Sequence, residues 1–298
     1  ADATVASAGA GDLRQMVLPV LSALWAVDPE GGIDTAFQAA QWATVTRASR
    51  ATQRMAARTA AASGDLATLA RGKQDLVNRW QEADRTYVAA LGKGGGQAEG
   101  AVLAALEGEI AATDAALAAQ FPEYAALVTP EALSVAEVQA RLTPGEALVM
   151  IVPAPAETFV FAVTPDAARW HRADLGAAAL DEAVRHLRAA LDPTGPARAA
   201  VALDAPEPQG QSFDRGAAFA LHGALLAPLA DMLGARVLVV ADGAMASLPL
   251  AVLVATPPQG DDADPVALAA TDWMARHHAF ATLPSVQALA GLRDRGAP

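Results

Sequence analysis

The chain has 298 residues, a formal net charge of −12 from 21 basic and 33 acidic side chains, and no cysteine. These counts exclude disulfides, thiolate zinc sites, iron–sulfur clusters and a thiol nucleophile within these residues. The acidic balance is spread over both halves and argues against a broad phosphate-binding surface, and so against nucleic acid as a partner. Alanine supplies about a quarter of the chain, so the 53% apolar fraction overstates the surface available for burial and biases the sequence toward helix. The apolar runs fall well short of the roughly 20 residues that span a bilayer, so no membrane association is expected. The opening segment, Ala1 to Asp12, has neither the charged start nor the apolar centre of a signal peptide.

Up to about residue 140 the periodicity is helical. Leu13, Val17, Val20, Leu21 and Leu24 mark a short amphipathic helix, ended by the turn signal Asp28-Pro29-Glu30-Gly31-Gly32. From Ile33 to about Ala62 there is no Pro or Gly; Phe37, Val45, Ala48, Met55 and Ala62 share a stripe, with Asp34 as the expected N-cap. Ser63-Gly64-Asp65 then stops that helix and caps the next. Leu66, Leu69, Lys73, Leu76, Trp80, Ala83, Tyr87 and Ala90 repeat at 3-4 spacing. After the tip Gly92-Lys93-Gly94-Gly95-Gly96 comes a second series, Leu103, Leu106, Ile110, Thr113, Leu117 and Gln120. Two seams joined by glycines predict an antiparallel helical hairpin over about residues 65–121, with coiled-coil-like packing. The tip lacks the spacing of a Walker loop and follows no strand, so a turn is expected there rather than a phosphate site.

After residue 140 the texture is mixed α/β. Glu146–Val152 and Thr158–Val163 read as a hairpin, with Arg169–Arg172 as a third strand. Ala178–Leu191 is an amphipathic helix ended by Asp192-Pro193, and Thr194 to Gln211 is expected to be a surface loop. Phe213–Leu233 is a helix that Pro228 kinks or breaks. Arg236–Gly243 is an apolar run ending in Asp-Gly, the pattern of a buried parallel strand emptying into a loop at its carboxyl end. Pro257–Pro265 reads as a loop, Arg276–Leu283 as a strand and Pro284–Arg293 as a helix.

No GxSxG elbow, HExxH, strand-linked GxGxxG or P-loop is present. His186 and His222 sit in helices of ordinary pattern, where packing or surface roles are the plain explanation. His277 and His278 alternate faces on the expected strand, so at most one could point into a site. With Asp242 and Ser285 one of them could be imagined as a serine triad, but no elbow or oxyanion loop accompanies it. Trp25, Trp42, Trp80, Trp170 and Trp273 are scattered, as packing residues are. The residues by themselves name no catalytic, cofactor-binding or metal-binding group.

The order of segments goes further. LTPGEALVMIV, ETFVFAVT, ARWHRADL, FDRGAAFALHGALLAPLADML, RVLVVADGAMASLPLAVLVATPP and DWMARHHAFATLPSVQALAGLR follow one another in a way that resembles a CHAT domain. CHAT domains are the bacterial caspase/separase-like family usually attached to TPR helices. The family's "LL-x-P-L" helix is matched by Leu225, Leu226, Pro228 and Leu229. Its "DG-x-L-x-x-LP" strand end is matched by Asp242, Gly243, Leu248 and Pro249, with Met245 in place of the usual Leu, and its "LPS" by Leu283, Pro284 and Ser285. Upstream, AFQAAQWATVTRAS, the hairpin and FPEYAALVTPEALSVAEVQARL resemble the helices linking TPR repeats to CHAT domains, so the likeness covers roughly residues 33–295.

The resemblance implies an α+β or α/β fold: a TPR-like helical region over residues 1–140, then the first part of a caspase-like α/β domain over residues 141–298. It implies a cysteine peptidase with a His–Cys dyad, both motifs lying C-terminal to the LPS helix. Neither motif is present, so the chain is expected to be an inactive N-terminal portion in which Asp242, Gly243, Leu248, Pro249, Leu283, Pro284 and Ser285 are structural. The expected partners are the missing C-terminal catalytic half of the same protein and a protein or peptide bound by the helices. No cofactor is implied. The alternative is a helical interaction module with no enzymatic role. The implied setting is a soluble bacterial protein, with the cytoplasm favoured and export left open.

Overall fold

The computed structural model describes residues 10–44, 64–92, 96–121, 132–191 and 212–293. In chain order these form helices α1 (Ala10–Val27), α2 (Ile33–Ala43), α3 (Gly64–Leu91), α4 (Gln97–Gln120) and α5 (Val135–Gln139), then strands β1 (Glu146–Pro153), β2 (Thr158–Val163) and β3 (Ala168–Ala173). Next come α6 (Ala177–Leu191), α7 (Arg215–Leu225), β4 (Arg236–Ala241), α8 (Pro265–Ala270), β5 (Ala279–Thr282) and α9 (Gln287–Arg293). Short 3-10 turns at Ala227–Met232, Gly243–Ser247, Leu250–Val252 and Met274–Arg276 lie in the connections.

The compact units do not divide where the sequence texture changes, near residue 140. One unit contains α3 and α4; the other contains Val17–Thr44 together with everything from Ala132 onward. The physical reason is burial: Leu18, Leu21, Phe37 and Ala40 belong to the same apolar cluster as Leu148, Met150 and Phe161 of the sheet.

In the first unit α3 and α4 are antiparallel, as the two seams predict. Lys73 pairs with Asp114, the Trp80 Nε1–H donates to Glu107 at 3.2 Å, and Arg79 lies 3.9 Å from Glu109. Partner numbers rise on one helix as they fall on the other. Leu66, Leu103, Leu106, Ile110 and Leu117 are buried, and Leu69, Lys73, Leu76, Trp80, Ala83, Tyr87 and Ala90 are half-buried between them. Gln120, expected on the seam, is exposed as the last residue of α4, and Phe121 beside it packs on Leu66 and Leu117 instead. With 28 and 24 residues, the arms are about 42 and 36 Å long at 1.5 Å per residue. The tip residues 93–95 lie outside the described residues.

The second unit is built on one mixed sheet of order β3-β2-β1-β4-β5. β1–β2 and β2–β3 are antiparallel, while β1–β4 and β4–β5 are parallel. The hairpin, the third strand and the parallel strand expected from Arg236 onward are all present. Every residue of β1 and β2 is buried, so helices must cover both faces. Val149, Ile151, Val160, Ala162, Val237 and Val239 face Leu180, Val184 and Leu187 of α6 and Ala218, Leu221 and Leu225 of α7. Leu148, Met150, Val152, Phe159 and Phe161 face α1, α2, α5 and α9. That second layer is pinned by rings: Trp170 stacks 5.2 Å from Phe161 and 5.8 Å from Phe159, and meets Trp25 edge-on at 4.9 Å.

Several expected boundaries move. α2 is described to Ala43, and the rest of the stretch expected to be helical, from residue 45 to 62, lies outside the described residues, as do Ser63 and the loop from 194 to 211. The cap position of α2 is Gly32, not Asp34; Asp34 Oδ1 instead accepts the Val135 N–H at 2.7 Å, while Oδ2 accepts Gln38 Nε2 at 2.8 Å. The helix expected over Phe213–Leu233 breaks as the proline requires: α7 stops at Leu225, and Leu229 is non-helical inside the following turn. The last strand is shorter than the run Arg276–Leu283, because Met274–Arg276 is a 3-10 turn. α9 starts at Gln287 rather than Pro284. The loop expected over Pro257–Pro265 ends in α8, capped by Asp264 Oδ1 accepting the Val266 N–H at 2.9 Å; six residues are too few for periodicity to announce.

Phe161 is fully buried and contacts both Phe37 and Trp170. Phe161→Ala should cost about 3–5 kcal/mol, read as a lower urea midpoint by tryptophan fluorescence. A loss below about 1 kcal/mol would contradict the helix-covered sheet face.

Candidate functional site

The residues singled out by motif collect at the carboxyl ends of β4 and β5. Asp242 follows β4 in extended conformation, and Gly243 takes φ +62° to open the turn Gly243–Ser247. A Cβ there would meet nothing within 4 Å, so the left-handed backbone and not crowding calls for glycine. Met245 and Leu248 are buried in the α6–α7 layer, and Pro249 precedes the turn Leu250–Val252. The Leu283 N–H donates to Val239 O at 2.8 Å, extending the β4–β5 pairing by one bond. The Leu283 side chain is buried on the opposite, α9 face. Ser285 is 7% exposed, and its hydroxyl oxygen accepts the Ala288 N–H at 3.3 Å.

The histidines lie elsewhere. His277 is the C-cap of a 3-10 turn, not a strand residue, and its Nε2 lies 2.5 Å from Asp272 Oδ1. His278 Nδ1 is 2.7 Å from Gly234 O, just before β4. Both are therefore at the amino ends of β4 and β5, whereas Asp242 and Ser285 are past the carboxyl ends. A strand's length separates them, so the serine triad does not assemble. His186 pairs with Asp214 at 2.9 Å, and His171 meets Ala224 O at 3.1 Å.

His222, on α7, is 6% exposed, and among the described residues its Nδ1 has no hydrogen-bond partner. Burial holds the imidazole below its ordinary range. Asp272 pulls the other way, and His278 adds to the lowering. Asp272 itself is held below the usual carboxylate range, chiefly by its bond to His277. This amino-end group of three histidines and one aspartate has no metal-binding arrangement: among the described residues no three His, Asp or Glu side chains are placed to hold an ion.

Two buried charges organise the framework around these ends. Arg215, 1% exposed, donates through Nε to Asp262 Oδ1 at 2.6 Å, through Nη1 to Gln259 O, Ala267 O and Thr271 Oγ1, and through Nη2 to Gly260 O. It thereby folds the whole excursion from Gln259 to Thr271 around one guanidinium. Glu146, at the start of β1, accepts from Arg293 Nη2 at 2.8 and 2.7 Å and from the Thr143 N–H at 2.8 Å. Burial alone would raise its pKa, but the Thr143 and Arg293 donors together hold the carboxyl below its usual value.

Compared with family models, with curated proteins and with solved structures, the chain matches none of them. Among the described residues no helix is long and apolar enough to cross a membrane. Sequence reasoning missed Arg215, Glu146, Asp272 and the buried Gln41. A lone Arg beside Gly and Ala at the head of an otherwise apolar helix was the one signal for the first; the others carry no local mark.

Arg215→Met should cost about 1–3 kcal/mol, because it removes the donors of Asp262 and of the Gln259 and Gly260 carbonyls, and should open the 259–271 loop to limited proteolysis; an unchanged cleavage pattern would contradict the clamp. The sign for His222 follows from linkage. Its folded pKa is depressed, so below the ordinary histidine value near 6.5 the unfolded chain takes up a proton that the folded chain refuses, and stability is lost as pH falls. Urea midpoints at pH 7.5 and 5.5 should therefore differ less in His222→Leu than in the parent, and an equal drop in both would refute the assignment.

Proposed function

We propose that residues 141–298 are the first part of a CHAT-family, caspase-like α/β domain. On this reading the chain is the scaffold and regulatory half of a cysteine peptidase whose His–Cys dyad lies outside these 298 residues. The helices before residue 141 are then TPR-like and bind a protein or peptide, and the catalytic half of the same protein is the second partner. The observation that carries the reading is the succession β4, Asp242-Gly243 turn, Leu248-Pro249, β5, Leu283-Pro284-Ser285, α9, in the family's order. Gly243 has a backbone that demands glycine, and the motif residues Met245, Leu248 and Leu283 are buried.

The chemistry sets the limit. Caspase-like hydrolysis needs a thiolate, generated with the help of an imidazole, to attack the scissile carbonyl. With no cysteine in the sequence, these residues can build and orient a substrate-binding frame but cannot form the acyl-enzyme.

A second reading, a helical interaction module with no enzymatic partner, draws on the α3–α4 hairpin, where Val88 and Val102 stand 60% and 52% exposed outside the seam. The two readings differ in what the α/β unit is for. In the peptidase reading its deletion abolishes cleavage by the full-length protein, and in the module reading the helices keep their partner without it.

The purified chain should turn over no member of a peptide library, and a fluorophosphonate probe should leave Ser285 unlabelled. Turnover by these 298 residues, or labelling of Ser285, would overturn the assignment.

A further inference from the structure

The seam of the α3–α4 hairpin is interrupted at one place. At Ala83 the α3 stripe carries a methyl group where the positions before and after it carry Trp80 and Tyr87. A small residue at a seam position leaves the hole it faces unfilled, and beside it a groove of about 530 Å³ runs along the hairpin. Its apolar lining is Ala83, Val102 and Leu106, of which Val102 is 52% exposed; Arg79, Glu82 and Glu99 are its charged lining. All of these residues belong to one compact unit.

The spacing of the lining fits a helix. From Arg79 to Thr86 on α3 and from Glu99 to Leu106 on α4, the groove follows two turns of each arm, about 10 Å at 1.5 Å per residue. That length matches side chains at i, i+3, i+4 and i+7 of an amphipathic helix laid into it. The groove is open to solvent, which suits a row of side chains better than an enclosed small molecule.

Charge selects the partner. α4 carries Glu99, Glu107, Glu109 and Asp114 and no basic residue. Glu107 accepts from Trp80, Asp114 pairs with Lys73, and Glu109 has Arg79 at 3.9 Å. Glu99 is half-buried at the groove and, among the described residues, has no hydrogen-bond or ion-pair partner. Glu82 is exposed with Arg85 at 3.3 Å, and an exposed pair of this kind is weak enough to be exchanged for a partner's cation. A second copy, joined through the same patch, would bring the same acidic α4 against this one.

We propose that this groove binds a basic amphipathic helix of a partner protein, with a bulky apolar side chain set between Ala83 and Val102 and lysines or arginines against Glu99 and Glu82. The proposal deepens the reading that the helices before residue 141 bind a protein or peptide, and rests on it; it needs nothing from the peptidase half.

The test uses the 298-residue chain and fluorescently labelled peptides of about 18 residues, long enough to form a helix on binding, read by anisotropy. Two carry leucine at i, i+3, i+4 and i+7, one with lysine and one with glutamate on the polar face, and a third has the leucine–lysine composition in scrambled order. The patterned leucine–lysine peptide should bind at least tenfold more tightly than the other two. Ala83→Leu fills the groove from within and leaves the net charge unchanged; it should weaken that peptide about tenfold while circular dichroism shows the helices retained. Glu99→Gln, which leaves the apolar lining alone, should weaken it at least threefold. Equal affinity in the parent and both variants, the mark of diffuse attraction to an acidic protein, overturns the groove and leaves the protein-binding reading standing. Preference for the glutamate peptide overturns the partner's charge, and a dimer in sedimentation that Ala83→Leu dissolves gives the groove to a second copy instead. Binding of none of the peptides by the parent overturns the proposal together with the reading beneath it.

Discussion

The β1–β2 pair is buried on both faces along its whole length, and the rest of the α/β unit follows from that constraint. A strand pair with no solvent-facing side must have apolar layers above and below it. The chain supplies one from α6 and α7, which lie on the crossover that makes β4 parallel to β1. It supplies the other from α1, α2, α5 and α9, which come from three widely separated stretches of the sequence. The first helices therefore belong energetically with the sheet, although their composition matches that of the helical stretch that follows them. Neither apolar layer draws a buried residue from α3 or α4.

Much of this architecture was legible because its signals are local. The runs at Glu146, Thr158 and Arg236 are β-branched or aromatic, and the seams from Leu66 and Leu103 repeat at 3-4 spacing over several turns. What was hidden is long-range. No periodicity says that Leu18, Leu21 and Phe37 serve the sheet instead of the neighbouring hairpin, since an apolar stripe is the same whatever covers it. Asp34 looks like a cap by position, yet its carboxylate is used about a hundred residues away, on the Val135 amide. His277 and His278 lie in a stretch with strand-like residues, but the 3-10 turn at Met274 shortens the strand and leaves them before it.

The same asymmetry governs the motif-bearing ends. Gly243 and the Leu283-Pro284-Ser285 run stand out as punctuation, and the structure gives them backbone and packing roles at the carboxyl ends of β4 and β5. The polar residues that fix the loops and helices around the sheet are single side chains on unremarkable helices. Arg215 gathers a thirteen-residue excursion by hydrogen bonds to carbonyls, and Gln41 saturates its amide between segments far apart in sequence. Such groups are costly to bury and costlier to unpair, so they fix one arrangement of the layers. That makes them better places than the exposed surface to look for control of the fold.

We propose that a sheet of this design, with its Asp-Gly turn and the Leu-Pro-Ser segment after β5, is half of a peptidase whose thiol lies outside these residues. The most direct measurement is the coding sequence that follows Pro298, read together with the intact mass of its protein product. If the proposal holds, the reading frame continues and carries the family's His motif and, after it, the Cys motif. A stop codon there, or a continuation with neither residue in such a motif, would contradict it.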